Sequence, residues 1–381
     1  MIMVFIMHDG LVSTQSPAPV PVLTVCSLDP VLRASAVAAL LCDAPAALVV
    51  QYDLGPHDGG GTGADDALRR TVFTSTGVRE SGPVDPGHGC LTCALTADLL
   101  EVAARLVAHA PGLVVLALPV ALEPSPVVRA LRQVAGLVRP AGVVTVTDQA
   151  GFESDLLGDA TVAERGFAVA EDDERGVGKV LAHLVEYSDA VLTPGALTAR
   201  GSRLLEHLGR PGLRIRGGLL HEVDPWALAS IERPADDPRG ELQQVRAPGV
   251  QDGEGVWTLA LTADRPVHPD RLLERIEDLG SGRTRSRGFF WLASRPELAC
   301  AWDGAGGQLS IGSLGPWTRP PARTQIVVTG TEPGDRHRIA GAFADVVLTP
   351  AEQARGSAWW RARGDTLGPW LGDLDPAELT G

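Results

Sequence analysis

The chain has 381 residues, enough for two or three domains at about 150 residues each and ample for a buried core. With 44% hydrophobic and 21% charged residues, 44 Gly and 29 Pro, it is neither low-complexity nor disordered throughout. Its 33 basic and 47 acidic side chains give a net charge of -14, which repels phosphate backbones and anionic lipid and argues against DNA or a membrane as partner.

Taken in chain order, Met1 to Met7 is apolar but short and has no basic residue before it. Residues 1–17 therefore read as a disordered lead-in rather than a signal sequence. No later run reaches the roughly 18 apolar residues of a membrane span. From residue 18 to 231, short β-branched runs alternate with Ala/Leu-rich stretches of helical period. Strands are predicted at Pro21–Val25, Ala47–Gln51, Leu113–Leu118, Gly142–Thr147 and Ala190–Thr193. Helices are predicted at Leu32–Leu41, Thr96–Ala108, Ser125–Val134, Gly178–Tyr187 and Thr198–Leu208. That alternation predicts an α/β fold with a mostly parallel sheet covered on both faces.

Residues 232–255 have the Pro, Gly and charge content of a linker. A smaller α+β domain is expected over 256–350. Its strands are predicted at Trp257–Thr262, Gly288–Ala293, Gln308–Gly312 and Thr324–Gly330, and its helices at Pro269–Leu279 and Asp335–Ala344. A Trp-bearing tail follows over 351–381.

The first strand-to-helix segment, Val22 to Ser35, is where a phosphate-binding loop would sit, yet it contains no Gly and no Lys. Asp29 places negative charge where a phosphate would go, and Arg33 is not a point-charge substitute for Lys. An ordinary strand, turn and capped helix is expected there. The single Lys of the chain, Lys179, follows Gly178 in a helical pattern, which makes that Gly-Lys pair a chance match.

Five Cys, an odd number with one close pair, do not make a disulfide framework and fit a reducing cytoplasm. In His88-Gly89-Cys90-Leu91-Thr92-Cys93 two thiols precede a helix, whose dipole favours thiolate, the species that binds zinc. The spacing lets both sulfurs reach one tetrahedral ion, but two ligands are half a closed site. His88 is the nearest third ligand, with His57 and Asp53 behind it. Reversible zinc binding, a dithiol redox pair and idle thiols are the readings open at this point. Cys26, Cys42 and Cys300 read as buried small hydrophobes.

Gly89-Cys90-Leu91-Thr92-Cys93, following a P-loop-like strand and an extended segment, resembles the GCxCC motif of CobW-type metallochaperone GTPases. Pro119 to Pro126 resembles that family's segment after its Walker B strand, and Gly142 to Asp148 its next strand. Arg265 to Pro269 together with Arg285 to Ala293 is similar to the CobW C-terminal domain. The resemblance spans about residues 20–350 and implies a P-loop-NTPase-like sheet followed by that α+β domain.

The departures are systematic. The Gly-rich loop is gone, Leu116 stands at the acidic strand-end position, and Thr193-Pro194-Gly195-Ala196 replaces the guanine-reading NKxD. Thr92 replaces the middle Cys of the metal motif. The chain looks most like a zinc-starvation-linked actinobacterial subgroup of the family. What this implies is a cytoplasmic, non-catalytic, zinc-responsive adaptor that recruits a ribosome hibernation-promoting factor to the small ribosomal subunit. Zn2+ at Cys90, Cys93 and His88 would be held reversibly, and neither GTP nor Mg2+ is expected. The alternative is a GTP-dependent zinc metallochaperone with a divergent nucleotide site.

Of the remaining residues, His268 precedes a helix and is expected to cap it rather than form a site. Arg283, Arg285 and Arg287 are expected on a solvated edge strand defended by charge, with an RNA-phosphate grip as the alternative. The acidic run Glu171 to Glu174 reads as a solvated helix start. Trp359 and Trp360 are expected either to dock on the core or to anchor a partner.

Overall fold

The computed structural model describes residues 18–55, 68–85, 90–109, 111–168, 173–195, 198–233, 242–318 and 321–372. The lead-in 1–17 lies outside the described residues. In the first domain the elements run β1 (Val20–Ser27), α1 (Pro30–Asp43), β2 (Leu48–Leu54), β3 (Leu68–Thr74), β4 (Gly77–Pro83), α2 (Leu91–Ala108), β5 (Val114–Ala117), α3 (Pro124–Leu131), β6 (Val138–Val146), α4 (Phe152–Leu157), α5 (Val177–Tyr187), β7 (Ala190–Leu192), α6 (Ala199–Leu208), β8 (Arg214–Arg216) and α7 (Pro225–Ala229). The strands form one sheet in the order β4-β3-β2-β5-β1-β6-β7-β8. All neighbours from β2 to β8 are parallel, and β3 and β4 extend the β2 edge as an antiparallel hairpin.

The central strands are apolar on both faces because helices cover both. Val22, Val50, Leu116 and Val143 pack under α2, α3 and α5, while Leu23, Val25, Val49, Val115 and Val144 pack under α1 and α7. The expected mostly parallel, doubly covered sheet is therefore present. The predicted helix from Thr96 begins earlier, at Leu91, because Cys90 caps it.

The second domain comprises β9 (Trp257–Ala263), α8 (Pro269–Glu274), α9 (Ile276–Gly280), β10 (Thr284–Trp291), β11 (Leu298–Ala305), β12 (Gln308–Pro316), β13 (Thr324–Gly330), α10 (Pro333–Val346), α11 (Pro350–Gln353), α12 (Ser357–Arg363) and α13 (Gly368–Leu371). Its antiparallel sheet has the order β12-β11-β10-β13-β9. The predicted helix Pro269–Leu279 is broken at Arg275 into α8 and α9. Gly288 in the middle of β10 has φ +152, and a Cβ there would collide with the Gln325 carbonyl of β13.

Two expectations are corrected here, the edge strand and the solvated acidic run, and for Trp360 the core-docking alternative holds. β10 is the middle strand of its sheet, not an edge, and Arg285 on it is only 2% exposed, so it grips no RNA. The described part of the tail is folded onto the second domain, where Trp360 is buried against Ala293 and Leu348 and the buried pair Arg295–Asp365 holds α13. Within the acidic run, Glu171 and Asp172 lie outside the described residues, and Asp173 is buried against Arg175 rather than solvated.

The two domains meet along α5. Arg285 of β10 donates from Nε to Glu186 Oε1 at 2.8 Å and also pairs with Asp303 of β11. Arg287 reaches Glu186 at 2.7 Å, and Lys179 lies 2.9 Å from Ser310 Oγ and 3.4 Å from Asp303. Gly306, in the turn between β11 and β12, has φ +58 and sits so close to the Gly158 carbonyl that a Cβ would collide with it. On α6, buried His207 makes a 2.7 Å hydrogen bond to Thr258 of β9.

Candidate functional site

The carboxyl end of β1 is where a parallel sheet of this kind binds ligands. Here Asp29 is the N-cap of α1, and its Oδ1 accepts from the Val31 and Leu32 N–H groups at 2.7 and 2.9 Å. Pro30 has no N–H to offer. The amides that a phosphate would use at this helix start are thus occupied by a carboxylate of the chain itself.

Arg33, one turn further, is 3% exposed and points inward rather than toward solvent. Its Nη1 donates to the Tyr52 carbonyl at 3.1 Å and the Leu118 carbonyl at 2.7 Å, and Nη2 pairs with Asp53. One guanidinium therefore spans the ends of β2 and β5. Leu116 is buried in the core, so no carboxylate stands at that strand position. Buried Ala121 holds a left-handed φ of 61 in the loop after β5, with its carbonyl accepting from Arg175 at 3.1 Å. Thr193 is also buried, bonded to the Arg216 carbonyl, and Ala196 lies outside the described residues.

The thiols sit on the other face. Cys90 is the N-cap of α2, and its Sγ accepts from the Cys93 N–H at 3.4 Å, so Cys93 is inside the first helical turn. Both are exposed. The hydrogen bond between the two thiols draws Cys90 below the ordinary thiol range and holds Cys93 above it. A pair of soft, exposed donors on one turn suits zinc.

Among the described residues no group of three or more His, Cys, Asp and Glu converges as a metal cluster. His88 and His57 lie outside the described residues. Asp53, the further candidate, gives one oxygen to Arg33 and the other to Gln51 Nε2 at 2.8 Å. Cys26 and Cys300 are buried as expected, with burial pushing the Cys300 thiol up to about 12, but Cys42 is exposed on α1.

Sequence reading missed the residues that fix the thiol helix. Tyr52, fully buried, donates from its hydroxyl to Asp98 Oδ2 of α2 at 2.6 Å. Arg70 of β3 pairs with the other Asp98 oxygen and with Glu80 of β4. The available signal was a charged Asp98 beside the buried stripe Ala94, Leu95, Leu99 and Val102. His268 does cap α8, accepting from the Arg271 N–H at 3.4 Å, with its ring edge-on to Trp360.

Residues 256–347 match the family described as the cobalamin synthesis protein cobW C-terminal domain. A zinc chaperone of Mycobacterium tuberculosis is 29% identical over 353 residues, covering 80% of this chain and 84% of that protein. The zinc-regulated GTPase metalloprotein activator 1 of Dictyostelium discoideum is 24% identical over 363 residues, covering 83% and 74%. A crystal structure of the Zn(II)-bound YjiA GTPase from E. coli aligns at 14% identity over 87% of this chain and 99% of that one, with a TM-score of 0.37. The chain therefore carries a cobW C-terminal domain over residues 256–347 behind its parallel α/β sheet, and over most of its length it is similar to these two zinc-linked proteins.

Proposed function

We propose that this protein is a zinc-handling CobW-type protein that acts as a zinc-responsive adaptor rather than through nucleotide turnover. The observation that carries the reading is the state of the phosphate position. Asp29 caps the α1 amides and Arg33 is turned into the ends of β2 and β5. Zinc enters from the exposed Cys90 and Cys93 and from the names of the two relatives.

A two-thiol site completed by His88, by solvent or by a partner exchanges its ion more readily than a closed four-ligand site. That suits a protein whose binding state reports zinc supply. With a charge of -14, attachment to a ribosome runs through a protein such as a hibernation-promoting factor rather than through extensive rRNA contact. The cytoplasm is the compartment in which both thiols stay reduced.

The test is calorimetric titration of GTP with Mg2+ into zinc-free and zinc-loaded protein, followed by pull-down of hibernation-promoting factor and small subunits at controlled free zinc. No GTP heat together with zinc-dependent capture is the expected result. Micromolar GTP binding favours the second reading, a GTP-dependent zinc metallochaperone, which the name of the Dictyostelium relative supports.

A further inference from the structure

Cys90 and Cys93 are both exposed, so among the described residues burial does not fix the positions of the sulfurs. Their separation and direction are inherited from the first turn of α2. Below that turn the helix is seated by an apolar stripe, Ala94, Leu95, Leu99, Val102, Ala103 and Leu106. Apolar burial is itself non-directional, so hydrogen bonds and ion pairs add a restraint on the rotation and position of a helix that burial alone does not give.

The directional restraint comes from Asp98, the one acidic residue of α2 that is largely buried. Its two oxygens are held separately, Oδ2 by the Tyr52 hydroxyl at 2.6 Å and Oδ1 by Arg70. Tyr52 has no exposed surface, so its hydroxyl must find its partner inside the protein, and Asp98 is that partner. Arg70 is also bound to Glu80, which receives Arg105 from the last turn of α2 at 3.3 Å. Strands β2, β3 and β4 thereby grip α2 at two points along its length.

We infer that Asp98 and Tyr52 are positioning residues for zinc at Cys90 and Cys93, setting its affinity by fixing the helix that presents the two sulfurs. The inference rests on the thiol reading above. With only two protein thiolates, each misplacement of the pair is felt directly in affinity, because few other bonds compensate. Neither residue is a ligand: Asp98 has both oxygens committed to Tyr52 and Arg70.

The experiment is zinc competition against a chelating dye with the full chain, on the wild type, Tyr52→Phe, Asp98→Asn and the double variant Cys90→Ser, Cys93→Ser. Cobalt(II) thiolate absorption and the unfolding temperature of the metal-free protein are read on the same samples. Tyr52→Phe and Asp98→Asn are expected to weaken zinc binding about tenfold while keeping the cobalt-thiolate band. The double Cys variant is expected to lose both binding and band.

Wild-type affinity in Tyr52→Phe and Asp98→Asn, with the Cys variant impaired, overturns the positioning role and leaves the thiol reading standing. Equal zinc binding by the wild type and the Cys variant removes the thiol reading and this inference with it. Should Asp98→Asn fail to fold, Tyr52→Phe, which deletes one hydroxyl, decides the question alone.

Discussion

His183 Nε2 of α5 lies 3.0 Å from Asp303 Oδ2 of β11, while its Nδ1 lies 2.9 Å from Glu123 Oε1 at the start of α3. One imidazole is thus held between a carboxylate of each domain. Burial opposes its charge, but the two carboxylates outweigh burial and raise its pKa to about 9. His183 is an imidazolium at neutral pH, and Arg285, Lys179 and Arg175 stand on the far sides of the same carboxylates.

A pH dependence of stability follows. Because the folded pKa of His183 is above its ordinary 6.5, its contribution is fully present below that value and is lost as pH rises through about 9. The unfolding temperature is expected to fall between pH 7 and pH 10, by an amount corresponding to about 1–3 kcal/mol. In His183→Gln that part of the decline should vanish. On the acid side, the basic groups around Glu123, Asp303 and Glu186 hold all three carboxyls low against their burial. Their contribution is present above pH about 4.5 and is lost as pH falls through the folded values.

Arg285→Ala leaves Glu186 and Asp303 buried without their shared cation. A loss of about 3–5 kcal/mol in denaturant unfolding is expected. Adding Glu186→Gln to Arg285→Ala should cost less than the sum of the two single changes, since the second removes a buried carboxylate that the first left with Arg287 alone. Full additivity would mean that the pair does not act as a unit.

At the start of α1 the two substitutions should differ in size. Asp29→Ala removes a helix cap and is expected to cost about 1 kcal/mol. Arg33→Ala deprives two strand-end carbonyls and Asp53 of their donor and should cost about 2–4 kcal/mol. Arg33→Lys should recover only part of that loss, because an ammonium cannot span both carbonyls and the carboxylate as a planar fork does. Equilibrium urea unfolding of the three variants checks the order.

The neighbouring tryptophans of α12 should behave in opposite ways. Trp360, 3% exposed and donating from Nε1 to the Glu352 carbonyl at 3.0 Å, is expected to cost about 3–5 kcal/mol on truncation to Ala. Trp359 is 40% exposed, with Arg355 stacked 4.6 Å from its ring, and its truncation should change stability by no more than about 1 kcal/mol.

Alkylation of the native, metal-free protein should label Cys42, Cys90 and Cys93 and spare buried Cys26 and Cys300. Added zinc should protect Cys90 and Cys93 and leave Cys42 reactive. Mass spectrometry of the labelled peptides reads this directly, and unprotected labelling at Cys90 and Cys93 would count against zinc there.

The central parallel strands were legible because β1, β2, β5, β6 and β7 each carry an apolar stretch that a doubly covered sheet hides, whereas β8, Arg214–Arg216, with an Arg at either end, was not. The hairpin β3 and β4 was not, since Arg69 and Arg70 interrupt the pattern of one strand and nearly all of the other is exposed. β11, written with Ala, Gly and Asp in LACAWDGA, carries little β signal and is a strand because β10 and β12 pair with it on both sides. Cys42 was misread because it lies on the solvent side of an Ala- and Leu-rich helix whose buried residues are Arg33, Ala36, Val37, Ala39 and Leu40.

By itself the sequence determined the loss of Gly and Lys at the phosphate position, the CxxC pair before a helix, and the order of the central strands and helices along the chain. These are properties of residue type and local spacing, which need no partner to be read. The tertiary structure alone decided that Arg33 turns inward onto Tyr52 and Leu118, that Asp98 anchors the thiol helix, and that Arg285 meets Glu186. Each of these joins charged or polar groups from elements far apart in the chain. A long side chain bearing charge reads as solvent-facing until the fold supplies the opposite charge or carbonyl that lets it be buried.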